Sequence, residues 1–488
     1  MMKPILLLLW SAALASASFG PNVRVDHQYQ SQYECGYCAI AVGQGAPSHQ
    51  PVYIAFEGDT TGRCDVWFQK STDAGRTWLP EDMLIRRGDR YAADPDITTD
   101  ADGNVYVEYI DEYIDTTGGR HYHISCQRSS DGGTTWTAPA RVDDSLDRVI
   151  GSARIAADPA GNLLCVWNGR HIWSSASTDR GATWGQVVQV DDDTTNRGCY
   201  QPDVFIQPGT NQYLVVAEVP HWYDSTPHIG MCAYLYRSFD RGLTFQPGVQ
   251  LDTFDYYASS PHVVAERDHI ICDYTGAGES LYGHQDLTEF RTFCSGPDTW
   301  GSPVAIRPSC DDAKLALSGD GRVHTALTMY TMGPNKTYVY YASSSNHGAS
   351  WSDPELVNED TLSTGFPDIG ADSAGYADVV WAQGPNSGGQ FRIWFATNNP
   401  LAIAEESRRP SSARPIATVI RGVLFQPEAS GLKPQVTSLL DVSGRKVIDL
   451  RPGANDVRAL APGVYFVRAE PSAASRQPSA VTKVVITR

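Results

Sequence analysis

The sequence predicts an all-β protein in which a ring of repeated four-stranded sheets is followed by a small β-sandwich. Three observations lead to this prediction. An eight-residue turn pattern occurs five times, short extended runs surround each copy, and the composition changes near residue 400 to a second, shorter β pattern. Repetition at intervals of about fifty residues is typical of solenoids and propellers that are built from one supersecondary unit.

The turn pattern is S-x-D-x-G-x-T-W, and its residues suit a self-contained turn. The acid can accept hydrogen bonds from backbone N–H groups of its own turn, and glycine supplies a positive φ. The aromatic residue can anchor the turn by burying a large apolar area. Two copies are looser: one ends in Phe245, and another has Asn346 and Ser350 in place of the acid and the threonine. The five copies span residues 71–78, 129–136, 177–184, 238–245 and 344–351.

Extended runs joined by Gly, Asn and Asp turns precede the boxes, and a fourth short run that ends in an acid or amide follows them. Such runs indicate strands joined by hairpin turns, and four strands per unit is typical of a propeller blade. The last unit stops after its third strand, and Val23-Arg24-Val25-Asp26 resembles the missing fourth strand. We therefore predict seven blades, with residues 23–26 closing the ring; six is the alternative if the unit at about 262–306 merges with a neighbour. The units begin near residues 39, 96, 154, 203, 262, 314 and 368.

The turn pattern resembles the Asp box, or BNR repeat, of sialidase-like β-propellers. In that family the box joins the third and fourth strands of a blade and lies away from the active-site face. The resemblance therefore implies a propeller over residues 18–399 and assigns the boxes themselves a structural role.

Composition limits the function. The 488-residue chain has a net charge of −18, with 19% charged and 10% aromatic residues. Such a charge argues against nucleic acid or an anionic membrane surface as a partner. Lys3, an apolar run and Ala15-Ser16-Ala17 predict a secretory signal peptide over residues 1–17. No later stretch is long and apolar enough to span a bilayer, so we expect a secreted or cell-surface protein and not an integral membrane protein.

Ten cysteines in an exported chain allow disulfides. Cys38 with Cys64, and Cys199 with Cys232, are pairings that only loop-borne bridges could form. Cys35-Gly-Tyr-Cys38 has metal or redox spacing, but no second such pair or histidine cluster accompanies it. The run from Asp100 to Asn104 carries oxygen donors without a complete twelve-residue calcium loop. The sequence thus predicts no metal site and no cofactor; structural calcium is an open alternative that the residues do not specifically indicate. Cys126, Cys165 and Cys272 are predicted to be buried strand thiols.

A polar, proline-bearing linker at 400–415 separates the repeats from residues 416–488. Alternating short strands there suggest a small immunoglobulin-like sandwich. Leu440 to Lys446, Leu460 to Phe466 and Lys483 to Arg488 resemble the type A C-terminal sorting domain of the bacterial type IX secretion system. The resemblance implies that this domain meets the secretion machinery and directs passage across the outer membrane; a generic accessory sandwich is the alternative.

The long loops predict where ligand binds. Turns on the box side are tight, whereas the opposite side carries long aromatic and polar loops. Binding residues usually lie on loops that a rigid scaffold holds in place. Aromatic faces and charges suit an extracellular glycan or glycoprotein, although ordinary loop packing explains any one of these residues. The predicted ligand-binding residues are Arg90, Tyr91, Tyr113, Trp222, Tyr223, Tyr256 and Tyr257.

Catalytic residues cannot be carried over from the sialidases. That family has an Arg-Ile-Pro motif that this chain lacks; Arg154-Ile155-Ala156 fits the ordinary repeat. Paired carboxylates for glycoside hydrolysis could come from Asp94, Asp96, Asp311 and Asp312, which turns explain equally well. The sequence therefore predicts a glycan-recognising propeller, with a sialidase-like exo-acting glycoside hydrolase or a protein-interaction propeller as alternatives.

Overall fold

A computed structural model provides the structure of the chain. It describes residues 19–27, 36–59, 64–87, 91–144, 149, 151–194, 198–222, 229–252, 257–266, 269–277, 287–294, 304–308, 310–331, 336–358, 363–384, 391–400, 418–420, 423–426, 437–441, 445–451, 453–469 and 481–486. The chain divides into two compact units, residues 1–403 and residues 404–488. The described residues form strands and turns, so the all-β prediction is confirmed. Within these residues there is no helix with the length and apolar character needed to cross a membrane.

The strands of the first unit are, in chain order, β1 (Val23–Arg24), β2 (Cys38–Val42), β3 (Val52–Asp59), β4 (Cys64–Ser71), β5 (Met83–Arg86), β6 (Tyr91–Thr99), β7 (Val105–Ile114), β8 (Arg120–Ser129), β9 (Ala140–Arg141), β10 (Ala153–Ala157), β11 (Leu163–Asn168), β12 (Ile172–Ser177), β13 (Val188–Gln189), β14 (Tyr200–Ile206), β15 (Tyr213–Trp222), β16 (Ile229–Ser238), β17 (Val249–Gln250), β18 (Tyr257–Glu266), β19 (His269–Ala277), β20 (Leu287–Cys294), β21 (Val304–Pro308), β22 (Cys310–Leu317), β23 (Val323–Thr331), β24 (Lys336–Ser344), β25 (Glu355–Leu356), β26 (Ser363–Ala371), β27 (Ala377–Gly384) and β28 (Arg392–Thr397).

These strands form antiparallel sets of four, which we call groups 1 to 6 (β2–β5, β6–β9, β10–β13, β14–β17, β18–β21 and β22–β25) and group 7 (β26–β28 with β1). Single parallel contacts between β4 and β6 and between β16 and β18 link neighbouring groups. The first strand of each group packs against the first strand of the next, and β26 packs against β2. The described first strands therefore make a closed inner ring.

The N-terminal strand completes group 7, as the sequence predicts. Val23 pairs with Phe395 and Arg24 with Trp394, and the Ile393 N–H donates to Asp26 Oδ1 at 2.9 Å. Because β1 covers the outer edge of β28, the last sheet gains a fourth strand from the other end of the chain.

Apolar residues fill the space between neighbouring sheets. All eight residues of β3 and all eight of β27 are buried, so both faces of these strands are covered by neighbouring parts of the unit. A core cluster joins Val25, Ile54 and Phe56 to Val380 and Phe395, which come from groups 1 and 7. This packing of sheet against sheet provides the rigid scaffold for the loops.

The five box turns share one hydrogen-bond pattern. In the first, Ser71 Oγ donates to Asp73 Oδ1 at 2.7 Å, and the Gly75 and Thr77 N–H groups donate to Ser71 Oγ and Asp73 Oδ1 at 2.9 and 2.8 Å. Gly75 has φ +83°, and a Cβ there would lie 2.2 Å from a ring carbon of Phe395. The equivalent N–H donation to the acid or amide spans 2.8–2.9 Å in the other four boxes. The mechanical interpretation of the pattern is confirmed.

The boxes lie at the same end of the groups as the turns between first and second strands. Arg76 Nη2 donates to the Ser48 carbonyl at 2.6 Å, and Arg180 of the third box pairs with Asp102 in the first turn of group 2. The starts of the first strands are therefore at the opposite end of the molecule from the boxes.

The described cysteines are buried free thiols: Cys38, Cys64, Cys126, Cys165, Cys199, Cys232, Cys272 and Cys310. The pairings considered for Cys38 with Cys64 and for Cys199 with Cys232 are not formed. Cys38 lies on β2 and Cys64 on β4, and β3 runs between these two strands. Cys126, Cys165 and Cys272 are strand thiols, as predicted.

The second unit has its own small core. Leu439, Leu450 and Val457 are buried against partly buried residues that include Tyr465 and Val467. One sheet has the order β29-β35-β34-β31-β32, in which β29 and β35 are parallel, and a second sheet pairs β30 with β33. The immunoglobulin-like topology stays a prediction. The strands are β29 (Thr418–Ile420), β30 (Val423–Gln426), β31 (Thr437–Leu440), β32 (Lys446–Leu450), β33 (Gly453–Asp456), β34 (Gly463–Ala469) and β35 (Val481–Ile486).

Candidate functional site

Four first strands carry the same irregularity near their start. A non-glycine residue with positive φ is followed by proline, and the pairing with the second strand shifts there. Proline has no N–H for the ladder, so the strand bulges at this point. A positive φ strains a non-glycine residue, and such strain persists only where the surroundings hold it. The four residues are Asp94 (φ 49°), Gln201 (φ 44°), Ser260 (φ 49°) and Phe366 (φ 52°).

Carboxylates of the preceding group hold two of these bulges. Glu57 Oε1, on β3, accepts the Asp94 N–H at 2.7 Å, and Glu218 Oε1, on β15, accepts the Ser260 N–H at 2.8 Å. Each acid thus satisfies a backbone donor that the bulge leaves without a ladder partner. Burial raises the pKa of Glu57 to about 7, although the N–H groups that it accepts oppose this rise.

The residue after the proline links neighbouring groups. Asp96 Oδ2 accepts the Ile155 N–H of group 3 at 2.8 Å, and Asp203 Oδ2 accepts the Val263 N–H of group 5 at 3.1 Å. Asp368 Oδ2 accepts the Ile40 N–H of group 1 at 2.8 Å. These acids are inter-sheet clips, and the Asp368 clip spans the junction where the ring closes.

A pocket of about 120 Å³ opens where the first strands begin. Six of the seven groups line it, and it lies at the end of the molecule opposite the boxes. The lining residues are Tyr37, Cys38, Ser152, Arg154, Gln201, Pro202, Ser260, His262, Ala313, Lys314, Phe366 and Pro367.

Two aromatic rings and two cations give the pocket its chemistry. The Tyr37 and Phe366 rings lie 4.3 Å apart between centroids, and both residues are 38% exposed. Arg154 Nη1 lies 3.3 Å from Asp94 Oδ1, and Lys314 also lines the pocket. Pockets that combine aromatic surface with a few placed polar groups are typical of small-molecule and sugar recognition.

Buried acids surround Arg154. Burial alone would lower its pKa, but Asp94, Asp96 and further acids outweigh this effect and raise it, so the guanidinium stays charged. Burial raises the pKa of Asp96 to about 6 against the opposing effect of Arg154. Burial and the neighbouring Asp96 and Asp94 raise the pKa of Glu108 well above its usual range. This shift favours the protonated form of Glu108, which carries no charge to repel the neighbouring acids.

A histidine–aspartate pair also reaches the pocket. His262 Nδ1 lies 3.1 Å from Asp273 Oδ1, and both side chains are buried. A carboxylate at one ring nitrogen orients an imidazole and fixes which nitrogen carries the proton, as in many acid–base sites. The pair can therefore present an oriented imidazole to a bound molecule.

The sequence-predicted carboxylates lie beside the pocket rather than in its lining. Asp94 Oδ2 accepts the Ala153 N–H at 3.2 Å, and Asp96 is an inter-sheet clip. Asp311 and Asp312 occupy the start of β22, and their side chains lie outside the described residues. A catalytic role for these acids stays a prediction, and a structural role explains the contacts of the first two.

The predicted binding residues are partly described. Tyr91 is 40% exposed at the start of β6. The Tyr113 ring stacks between His121 and His123, with centroids 5.1 and 4.2 Å away. Both tyrosines lie at the pocket end of group 2 without lining the pocket. Trp222 and Tyr257 are strand residues whose side chains lie outside the described part of the structure. Arg90, Tyr223 and Tyr256 lie outside it as whole residues.

Sequence reasoning missed Tyr37, Arg154, Lys314 and Phe366 as site residues. A signal was present for Phe366: the residue before the proline in each x-Pro-Asp repeat varies, while the proline and acid recur. Because these positions share a backbone but differ in side chain, Phe366 was a candidate binding residue in the sequence, whereas Tyr37, Arg154 and Lys314 lie outside this pattern.

Comparison with known proteins gives one sequence match. Residues 52–276 match the family model of the BNR repeat-like domain. This match supports the Asp-box propeller superfamily for that part of the chain, and no curated protein matches the chain in sequence.

Several solved structures are similar to the chain. A protein of unknown function from Dyadobacter fermentans is 15% identical to this chain, and the TM-score is 0.42. The match covers 77% of this chain and 98% of that protein. The α-L-arabinofuranosidase Arb93A from Fusarium graminearum is 13% identical, with coverages of 78% and 98% and a TM-score of 0.43. The NanB sialidase of Streptococcus pneumoniae is 10% identical, with coverages of 78% and 70% and a TM-score of 0.43.

Proposed function

We propose that the protein is a secreted or cell-surface seven-bladed propeller that recognises an extracellular glycan at the pocket end of its inner ring. Seven first strands, each packed against the next around the ring, support the blade number. Lining residues from six groups support the choice of site.

One observation carries the proposal: the bulge positions share a backbone but not a side chain. Amide, hydroxyl and phenyl groups stand in the pocket lining at Gln201, Ser260 and Phe366, and the acid at the fourth position, Asp94, pairs with the lining residue Arg154. A purely structural position would favour one residue type, as the boxes do. Diverse side chains on one repeated backbone are what an asymmetric ligand needs.

The pocket chemistry suits a sugar. The exposed Tyr37 and Phe366 rings offer apolar faces for the C–H side of a pyranose, and aromatic side chains combine such a surface with geometric specificity. Arg154, Lys314 and Gln201 offer hydrogen-bond donors for hydroxyl or carboxylate oxygens. Protein-surface docking, the interaction-platform alternative, would call for a broad exposed face rather than a recessed pocket.

A glycan array of neutral and acid-bearing oligosaccharides tests the proposal, with the purified wild-type protein and Lys314→Met as probes. We expect wild-type binding to a defined set of glycans and weaker binding by the variant, because a donor is lost from the pocket. Absence of binding by the folded wild-type protein across the array would contradict the proposal.

A second candidate function is hydrolysis of the bound glycan, and the His262–Asp273 pair favours it. An oriented imidazole is a general acid–base group in the range of neutral pH. If the protein is an enzyme, it turns over a fluorogenic glycoside, and His262→Gln abolishes turnover while glycan binding remains. Binding without turnover across a glycoside panel would leave recognition as the function.

Export is a proposal that rests on residues 1–17 and 416–488. We propose that the first are a signal peptide and that the second are a type A sorting domain of type IX secretion. Truncation near Pro415 should leave a folded propeller that stays in the periplasm of its native host. Normal surface delivery of the truncated protein would contradict the sorting role.

A further inference from the structure

Group 3 brings together an imidazole and two carboxylates at the pocket end of the molecule. His171 precedes β12, Asp191 follows β13, and Asp193 lies two residues further on. One ring nitrogen of His171 and one oxygen of each carboxylate all lie within 4.8 Å of one another. Nδ1 is 2.9 Å from Asp191 Oδ1, which also accepts the Asp193 N–H at 3.0 Å.

Part of this cluster has a structural explanation. After the fourth strand, an acid or amide accepts an N–H from the third strand in several groups. The Ile172 N–H donates to Asp191 Oδ2 at 2.5 Å, and the Ile124 N–H of group 2 donates to Asp143 Oδ1 at 2.9 Å. Group 2 also has a histidine beside its acid, with His123 Nδ1 3.3 Å from Asp143 Oδ2. The clip explains His171 and Asp191, but it does not require Asp193.

Asp193 distinguishes group 3 from group 2. The sequence has Ser145 where group 3 has Asp193, so group 3, unlike group 2, has a second carboxylate two residues after the clip. Two carboxylates this close repel each other, and the first is buried, where solvent screens the repulsion poorly. A divalent cation bound between the two carboxylates would offset this repulsion, because each carboxylate attracts the cation.

Cys199 adds a softer donor beside the acids. Its thiol is fully buried and hydrogen-bonds to Asp191. Imidazole nitrogen, carboxylate oxygen and cysteine sulfur are the ligands that Zn²⁺ takes in proteins, usually four of them in a tetrahedron. Calcium and magnesium prefer all-oxygen sites.

We propose that His171, Asp191 and Asp193 bind a divalent zinc-type metal ion, with the buried Cys199 thiol, which hydrogen-bonds to Asp191, as a candidate fourth protein ligand. The ion would link His171, which directly precedes β12, to the connection between β13 and β14. Because β14 begins with Tyr200 and Gln201, the same ion would hold the chain that enters the pocket. The site is independent of what the pocket binds.

The test is calorimetric titration of ZnCl₂ into tag-free, EDTA-treated, full-length protein. We expect one equivalent of zinc per chain in the wild-type protein. Asp193→Ala should weaken zinc binding at least about tenfold while the clip and the fold remain, and His171→Gln should do the same. His123→Gln, which alters the matching histidine of group 2, should bind zinc as the wild type does.

Thermal unfolding gives a second readout. Zinc should raise the Tm of the wild type and of His123→Gln by mass action, and it should leave the Tm of Asp193→Ala unchanged. Calcium at the same concentration should have no such effect. The proposal is overturned if the wild type binds no zinc, if Asp193→Ala and His171→Gln bind it as tightly as the wild type, or if calcium binds in its place.

Discussion

The two ends of the repeated sheets differ in what they keep constant. At one end, five boxes use the same residue types and the same hydrogen bonds, and Asn346 performs the role of the aspartates in the other four boxes. At the other end, four bulges keep a positive φ and a proline but change the side chain. The first end repeats its hydrogen bonds, whereas the second end repeats its backbone and varies its side chains. This contrast supports the proposal that ligand binds at the pocket end.

The largest expected effect comes from opening the ring. Deletion of residues 18–26 removes β1, the buried Val25, and the Asp26 carboxylate that accepts the Ile393 N–H. We expect the free energy of unfolding to fall by roughly 5 kcal/mol or more, a large fraction of an ordinary domain's stability. Chemical denaturation followed by circular dichroism measures this. A deletion variant as stable as the wild type would show that ring closure does not stabilise the fold.

The next effect concerns a box tryptophan. Trp78 packs edge-on against Phe395 with ring centroids 5.1 Å apart, so the first box holds group 7. Trp78→Ala should cost about 3 kcal/mol, as for large aromatic truncations, without changing ligand affinity measured under folding conditions. A stable variant that loses ligand binding would assign the box a functional role instead.

A smaller effect is a pH dependence from Glu57. Its pKa is about 7 in the folded protein because burial disfavours the carboxylate, whereas in the unfolded chain it is near the ordinary value of 4.5. Between these values the folded state holds the extra proton, so stability falls as pH rises from about 4.5 to 7. Glu57→Gln removes this contribution, worth up to about 3 kcal/mol.

The Tm of Glu57→Gln should therefore depend less on pH between 5 and 8 than that of the wild type. Glu81→Gln, at an exposed position, is the control and should follow the wild-type profile. Parallel profiles for all three proteins would mean that Glu57 does not titrate in this range.

Much of this scaffold was predictable because its signals are local. The box residues bond within eight positions, and Val23 to Asp26 has the pattern of the other fourth strands. The site was harder to predict, because Arg154, Lys314 and Phe366 come from three different groups and meet only when the ring closes. Likewise, His171 and Asp193 converge through the pairing of β12 with β13 rather than through a sequence motif. Asp96 was a reasonable catalytic candidate from its residue type, and only its bond to the Ile155 N–H gives it a structural role.

The central claim is tested most directly by one matched measurement of glycan affinity. The ligand is the strongest array glycan, titrated into wild type, Tyr37→Ala/Phe366→Ala and Phe239→Ala. Phe239 is 56% exposed in the fourth box, so its variant removes an exposed ring from the opposite end. We predict that the pocket variant loses at least about tenfold in affinity, about 1.4 kcal/mol, and that Phe239→Ala binds as the wild type does. Equal affinity of the pocket variant and the wild type, or a loss confined to Phe239→Ala, would contradict the account.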